Sequence, residues 1–273
     1  MPDQTPPVVA LTGAAGRLAQ HVRPLLAQVA AEVRLCDQRA VTPLHANETA
    51  WQCALEDADA LDRMLEGVDV IVHFAGYPRE AQWDVILPAN VAGVANLWEA
   101  ARAAGVRRIV YASSNHAVGM YPRSVIVGSS DVPRPDSRYG VAKVFMEAVA
   151  SLYAQKFGIK AFGMRIGHCS DAPVDARMLS HWISPRDLAQ LVRVGMTAEI
   201  DEAIVYGASH NSMTWWDNSR AYALGYAPQD SADAYVDALR DKTSADPVAE
   251  FYQGGSFAAE EYDGDRSAFD APR

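Results

Sequence analysis

Short apolar runs alternate with longer helix-patterned segments from residue 8 onward. A glycine-rich turn, Thr12-Gly13-Ala14-Ala15-Gly16, lies directly between the first run and the first helical segment. Repeated β-α-β units of this kind predict an α/β chain, a Rossmann-type doubly wound parallel sheet with helices on both faces. Its ligand crevice lies at the C-terminal ends of the strands. Residues 1–165 carry the alternation. Residues 166–273 are looser and predict a small C-terminal substrate-binding cap, interleaved with the rest in one domain spanning 1–273.

Each element has its own signal. Val8-Val9-Ala10-Leu11 is an apolar run that predicts a first strand. A helix is expected over 17–31, then a strand ending at Asp37. Residues 51–55 predict a third strand, 58–65 a helix, and 68–74 a fourth strand ending in Ala75-Gly76. Residues 90–104 are strongly helical, with Gly105 as the stop. The run 108–112 predicts a fifth strand. Residues 129–137, rich in Ser, Pro and Asp, read as a loop. That loop delivers the chain to a helix carrying Tyr139 and Lys143, which Gly158 ends. A sixth strand is expected over 160–166, a helix over 185–196 and a short strand over 203–206.

At 273 residues the chain is long enough for one large domain, and 49% hydrophobic residues mark it as globular. A formal charge of -10 argues against nucleic acid or an anionic membrane as the main partner. A local cation can still serve an anionic substrate. No apolar run approaches the roughly 20 residues that span a bilayer, and the first residues lack a signal-like pattern. Cys36, Cys53 and Cys169 fit neither a disulfide framework nor a zinc site. The expectation is a cytoplasmic protein of a reducing compartment, with no metal.

Gly13, Ala15, Gly16, Arg17 and Leu18 sit where a strand hands over to a helix. The glycines permit a tight turn and close approach of a pyrophosphate, and the helix N-terminus offers amide donors. Ala19 allows tight helix–sheet packing. Asp37, at the end of the second strand, suits the adenine ribose hydroxyls and repels a 2′-phosphate, which favours NAD over NADP. Arg39 is the nearby residue that would serve such a phosphate. Leu55, followed by Glu56 and Asp57, lies where such folds meet adenine; Asp57 is equally suited to cap a helix. Ala75 and Gly76 form an open floor near the middle of the cofactor. Asn90 begins the next helix and reads equally as its cap or, by resemblance to a superfamily of this fold, as an organiser of the sheet interior or of a proton path.

Tyr139 and Lys143, four residues apart, share one helix face. An ammonium there can lower a phenol pKa that is otherwise about 10, giving a general base for an alcohol. Tyr111-Ala112-Ser113-Ser114-Asn115-His116 places polar groups at the end of the fifth strand, beside that helix. Ser114, with Ser113 as the alternative, would orient a substrate alcohol.

These motifs resemble the extended short-chain dehydrogenase/reductase superfamily. Over nearly the whole chain, YASSNHAVGMYPR, PRPDSRYGVAKVF, DARMLSHWIS and IVYGASHNSMTWWDN are similar to uronate dehydrogenases. The resemblance implies NAD-dependent oxidation of an aldohexuronic acid at C1 to an aldarolactone, and a homo-oligomer. It implies that Ser114, Tyr139 and Lys143 are catalytic, and that Arg177 grips the substrate carboxylate through two parallel hydrogen bonds. It also places Asn115 and His116 against sugar hydroxyls. Two departures fall in this zone. His168 stands where the resembling sequences tend to have Ser, and Tyr77-Pro78-Arg79 replaces a Ser-bearing turn. Trp215 and Trp216 read as packing rather than a sugar platform.

Competing expectations remain: a nucleotide-sugar epimerase or dehydratase, a neutral-sugar dehydrogenase, and a non-catalytic NAD sensor. The first needs a larger C-terminal lobe than residues 170–273 provide. The last has no use for Ser114, Tyr139 and Lys143 together.

Overall fold

The computed structural model describes residues 5–266 and residue 269. The chain opens with β1 (Val8–Thr12), α1 (Arg17–Val29), β2 (Glu32–Asp37), β3 (Glu48–Gln52), α2 (Ala58–Leu65) and β4 (Val70–His73). Next, α3 (Trp83–Leu87) and α4 (Gly93–Ala103) flank a π-helical turn, Pro88–Ala92. Then follow β5 (Arg108–Ser114), β6 (Val127–Gly128), α5 (Arg138–Phe157), β7 (Lys160–Ile166) and β8 (His168–Cys169). The last part includes α6 (Met178–His181), β9 (Trp182–Ile183), α7 (Pro185–Thr197), β10 (Glu202–Gly207) and β11 (Trp216–Asp217).

Seven strands pair in the order β10-β7-β5-β4-β1-β2-β3, all in parallel. The order reverses between β1 and β4, and a ligand crevice belongs at that point. Helices cover both faces. Leu26 of α1 and Leu188, Leu191 and Val192 of α7 pack with Leu11, Val110 and Phe162 on one side. Leu61 and Met64 of α2, Leu97 and Trp98 of α4 and Met146 and Ala150 of α5 pack with Ile71, Ile109 and Ala161 on the other.

Three expectations are corrected. The third strand is β3, residues 48–52, rather than 51–55. β3 is an edge strand that is mostly exposed, so its apolar signal is weak. Buried Cys53 and Leu55 instead belong to the turn after it, and Leu55 packs against Gly93. The helix expected at 90 begins at Trp83 and passes through the π-helical turn. Asn90 is therefore not a cap: its side-chain oxygen accepts from Tyr77 N (2.6 Å) and its nitrogen donates to Tyr77 O (2.9 Å). Finally, residues 166–273 are more than a cap. β10 extends the main sheet and α7 packs on its core.

Trp215 and Trp216 are buried beside Tyr206, whose ring stacks on Trp216 at 4.6 Å. Asp57 caps α2 by accepting from Ala60 N. Among the described residues, no helix is long and apolar enough to cross a membrane. No group of three or more His, Cys, Asp or Glu among them could hold a metal ion.

Candidate active site

A cleft of about 1110 Å3 opens over the C-terminal ends of β1, β2, β4, β5 and β7. Of the expected site residues, Gly13, Gly16, Arg17, Leu18, Asp37, Leu55, Ala75, Gly76, Ser114, Asn115, His116, Tyr139, Lys143, His168 and Arg177 all line it. Ala15 is held at its edge, donating its N–H to Asp37 Oδ2 at 3.0 Å.

One end fits a dinucleotide. Gly13 has φ +71°, and a Cβ there would lie 2.6 Å from Ala75 N. Only glycine lets the ends of β1 and β4 approach this closely and leave the space above them open. Gly16 precedes α1, whose first amides carry no side-chain cap and are free for a pyrophosphate. Asp37 is buried, and its Oδ1 accepts from Arg39 N at 2.9 Å. Arg39 Nη2 donates to Ala15 O at 3.0 Å, and its Nε lies 3.5 Å from Asp37. Arg39 is thus engaged with the loop and with the carboxylate, an arrangement suited to ribose hydroxyls rather than to an added phosphate.

In the middle of the cleft stand Ser114, Tyr139 and Lys143. Ser113 and Ser114 alternate across β5, and the structure separates them. Ser113 Oγ donates to Glu147 Oε1 at 2.6 Å, inside a buried ion pair of Glu147 with Arg165 (2.8 Å). Burial opposes the Arg165 charge, but Glu147 holds its pKa above the ordinary value. Ser114 Oγ accepts from His116 N at 3.2 Å and is the hydroxyl beside Tyr139.

α5 brings Tyr139 and Lys143 together from its first two turns. Ser137 caps it, accepting from Gly140 N at 3.0 Å. Lys143 Nζ donates to Ala112 O at 2.8 Å and lies 5.3 Å from the centre of the Tyr139 ring. The pKa expectation is corrected here. Burial pushes Tyr139 up to about 12; the Ser114 hydrogen bond pulls against this and Asp136 adds to it. Lys143 is itself pushed down to about 8 by burial, with Glu147 opposing. In the resting cleft, desolvation outweighs any lowering of the phenol by the ammonium.

At the far end, Arg177 enters from the turn before α6. Its Nε and Nη2 both donate to Gln253 O, at 2.9 and 2.7 Å. Asn115, with its amide oxygen toward Arg177, accepts from Nη2 at 3.0 Å and donates to Ile166 O at 3.2 Å. The side-on fork expected to grip a carboxylate is therefore already filled by backbone. Nη1 has no hydrogen-bond partner among the described residues, and Arg177 lines the cleft. Burial, with Arg123 adding, lowers the Arg177 pKa to about 10, so it stays a cation at neutral pH. Asp175 does not neutralise it by an ion pair; its carboxylate accepts from Met178 N, the first residue of α6, at 2.8 Å.

His116 is clamped. Its Nδ1 meets Asp136 Oδ2 at 2.7 Å, and its ring stacks on Phe257 at 4.0 Å. Tyr139 stands edge-on to both rings. The loop carrying Tyr77 and Arg79 is fixed at both ends. Asn90 holds Tyr77, and Glu80 accepts from Tyr139 N (2.8 Å) and Arg138 Nη1 (2.8 Å).

Sequence reasoning passed over Glu80, Asp136, Glu147, Gln253 and Phe257. The Gln253-Gly254-Gly255 run carried a signal. A Cβ on Gly254 would lie 1.9 Å from Asp136 Oδ2, so the glycine marks a segment pressed against the site.

The family model described as NAD dependent epimerase/dehydratase family matches residues 9–248. The chain is 41% identical to a uronate dehydrogenase of Pseudomonas syringae pv. tomato, over 94% of each chain. It is similar in structure to a glucuronic acid dehydrogenase from Chromohalobacter salexigens. The TM-score is 0.88 at 41% identity, covering 93% of this chain and 97% of that one. A mutant uronate dehydrogenase from Agrobacterium tumefaciens complexed with NAD gives a TM-score of 0.88 at 40% identity, with the same coverage. The chain belongs to the NAD dependent epimerase/dehydratase family and, within it, is similar to the uronate dehydrogenases.

Proposed function

We propose that this protein oxidises an aldohexuronic acid, galacturonate or glucuronate, at C1 to the aldarolactone with NAD. The observation that carries this reading is a single cleft with a dinucleotide cradle at one end, a Ser114–Tyr139 hydroxyl pair at its centre and an unneutralised Arg177 at the other end.

Arg177 Nη1 receives the carboxylate, and Asn115, bonded to the same guanidinium, fixes its orientation. Ser114 donates to or accepts from the C1 hydroxyl, and Tyr139 takes its proton. Lys143, fixed on Ala112 O, holds the nicotinamide ribose and stabilises the phenolate as it forms. NAD, when bound, supplies the hydride acceptor. His116, oriented by Asp136, and His168 meet the ring hydroxyls.

Single-domain packing, with β10 and α7 in the main core, supports one functional unit over 1–273. The three cysteines are free and buried, which supports a reducing, cytoplasmic setting. On α5, Val141, Phe145, Ala148 and Leu152 form a stripe at i, i+4, i+7, i+11; Val141 and Leu152 are 43% and 51% exposed. That apolar face supports a homo-oligomer formed through helices flanking the sheet.

Rates of NADH formation on galacturonate, glucuronate, galactose and glucose test the reading. Turnover confined to the acids, with an aldarolactone as product, is expected. Faster oxidation of a neutral sugar would replace it with a neutral-sugar dehydrogenase.

A further inference from the structure

His168 lines the cleft and has no hydrogen-bond partner among the described residues. It opens on the cleft from β8, whose pairing with β9 (His168 against Trp182) fixes the backbone. Its surroundings are unbalanced in charge. Arg17, from the start of α1, and Arg177, from the turn before α6, both act on it, and Asp175 is the carboxylate that opposes them. Asp175 itself accepts from Met178 N at the start of α6. His181 of α6 also faces it, but burial keeps that imidazole neutral. Cys169, next in the chain, is pushed up to about 12 by burial and stays a thiol. His116, farther off, is held by Asp136.

We propose that His168 is a specificity-determining residue that hydrogen-bonds the acid sugar lying toward Arg177 and takes up a proton as that acid binds. The inference rests on the reading of the cleft as an acid-sugar site. In the resting protein, burial, then Arg17 and Arg177, hold the imidazole below its ordinary pKa, so it is neutral at neutral pH. A bound carboxylate cancels the field of Arg177 and adds a negative charge in the same desolvated space. The two guanidiniums no longer oppose a third cation, and the charged imidazole becomes the favoured form. Both ring nitrogens are then donors, matched to the acceptor-rich oxygens of a uronate.

Below the free-state pKa the imidazole is charged with or without ligand, and binding exchanges no proton through it. Above the bound-state pKa it is neutral in both, and again nothing is exchanged. Between the two, each acid bound brings in up to one proton, so KM rises with pH by up to about tenfold per unit.

The test is calorimetric titration of galacturonate and glucuronate into protein saturated with NADH, where no oxidation can follow. Repeating it in buffers of different ionisation enthalpy counts the protons. Uptake approaching one proton per acid is expected near neutral pH. In His168→Gln, which keeps hydrogen bonding without a charge, binding should persist, the uptake should vanish and the KM profile should flatten. Wild-type turnover of the acids without uptake, or equal uptake in the variant, would overturn this inference alone. No turnover of either acid would remove the functional reading, and the inference with it.

Discussion

Tyr139 in the resting cleft is a neutral phenol, held at about 12 chiefly by burial. Proton abstraction therefore becomes easier as pH rises, and kcat should climb from neutral toward alkaline pH. Tyr139→Phe keeps the ring that contacts His116 and Phe257 but removes the proposed base. It should lower kcat about 10²–10⁴-fold and leave NAD affinity nearly unchanged, as measured by steady-state kinetics and cofactor titration. At this scale, identities were legible in the sequence but loads were not. Tyr139, Lys143 and Ser114 announce themselves by spacing. That Ser113 is consumed by Glu147, or that the Arg177 fork is filled by Gln253, depends on segments 34 and 76 residues away. Asp136 looked like an ordinary loop acid because its partners, His116 and the close-packed Gly254, are joined to it only by folding.

Among the elements, α5 carries Tyr139 and Lys143, the residues of the proposed proton transfer, and its N-terminus is anchored from outside. The Glu80 side chain, 5% exposed, takes both the Tyr139 N–H and Arg138. Arg138 reaches on to Glu261, and Gln82 meets the same carboxylate. Glu80→Ala would leave the part-buried Tyr139 amide without its acceptor, about 1–3 kcal/mol, and Arg138 with Glu261 as its remaining carboxylate. We expect a Tm several degrees lower and a kcat that falls more than KM rises, since Tyr139 loses its position and Arg177 does not. Thermal melts and steady-state rates check this. Strongly periodic elements were readable from the sequence: β1, α1, β2, α2, β4, α5 and α7 fall close to where their patterns put them. β3 slipped by three residues because an exposed edge strand presents little apolar pattern. The turn after β4 hid α3 because Pro88 interrupts the helix pattern, and the chain answers with a π-helical turn rather than an end.

For the whole molecule, the parallel topology follows from the alternation of strands and helices, and the crevice follows from the strand order. What the sequence could not show is that β10 returns to the main sheet beside β7. Its short apolar run looks the same whether it pairs there or in a separate cap. The exposed stripe on α5 belongs to this scale as well. The proposed homo-oligomer is tested there by light scattering: wild type is expected to run above the monomer mass and Leu152→Glu, away from the cleft, at a smaller mass while staying folded; an unchanged mass would contradict this interface. The central claim is that one cation at the end of the cleft makes this an enzyme of acid sugars. Its most direct test is the ratio of kcat/KM for galacturonate or glucuronate to that for the matching neutral sugar, in wild type and Arg177→Ala. Loss of one charged hydrogen bond, about 1.5–3 kcal/mol, predicts that the variant loses about ten- to a hundredfold on the acids and little on neutral sugars. An unchanged ratio would contradict the account.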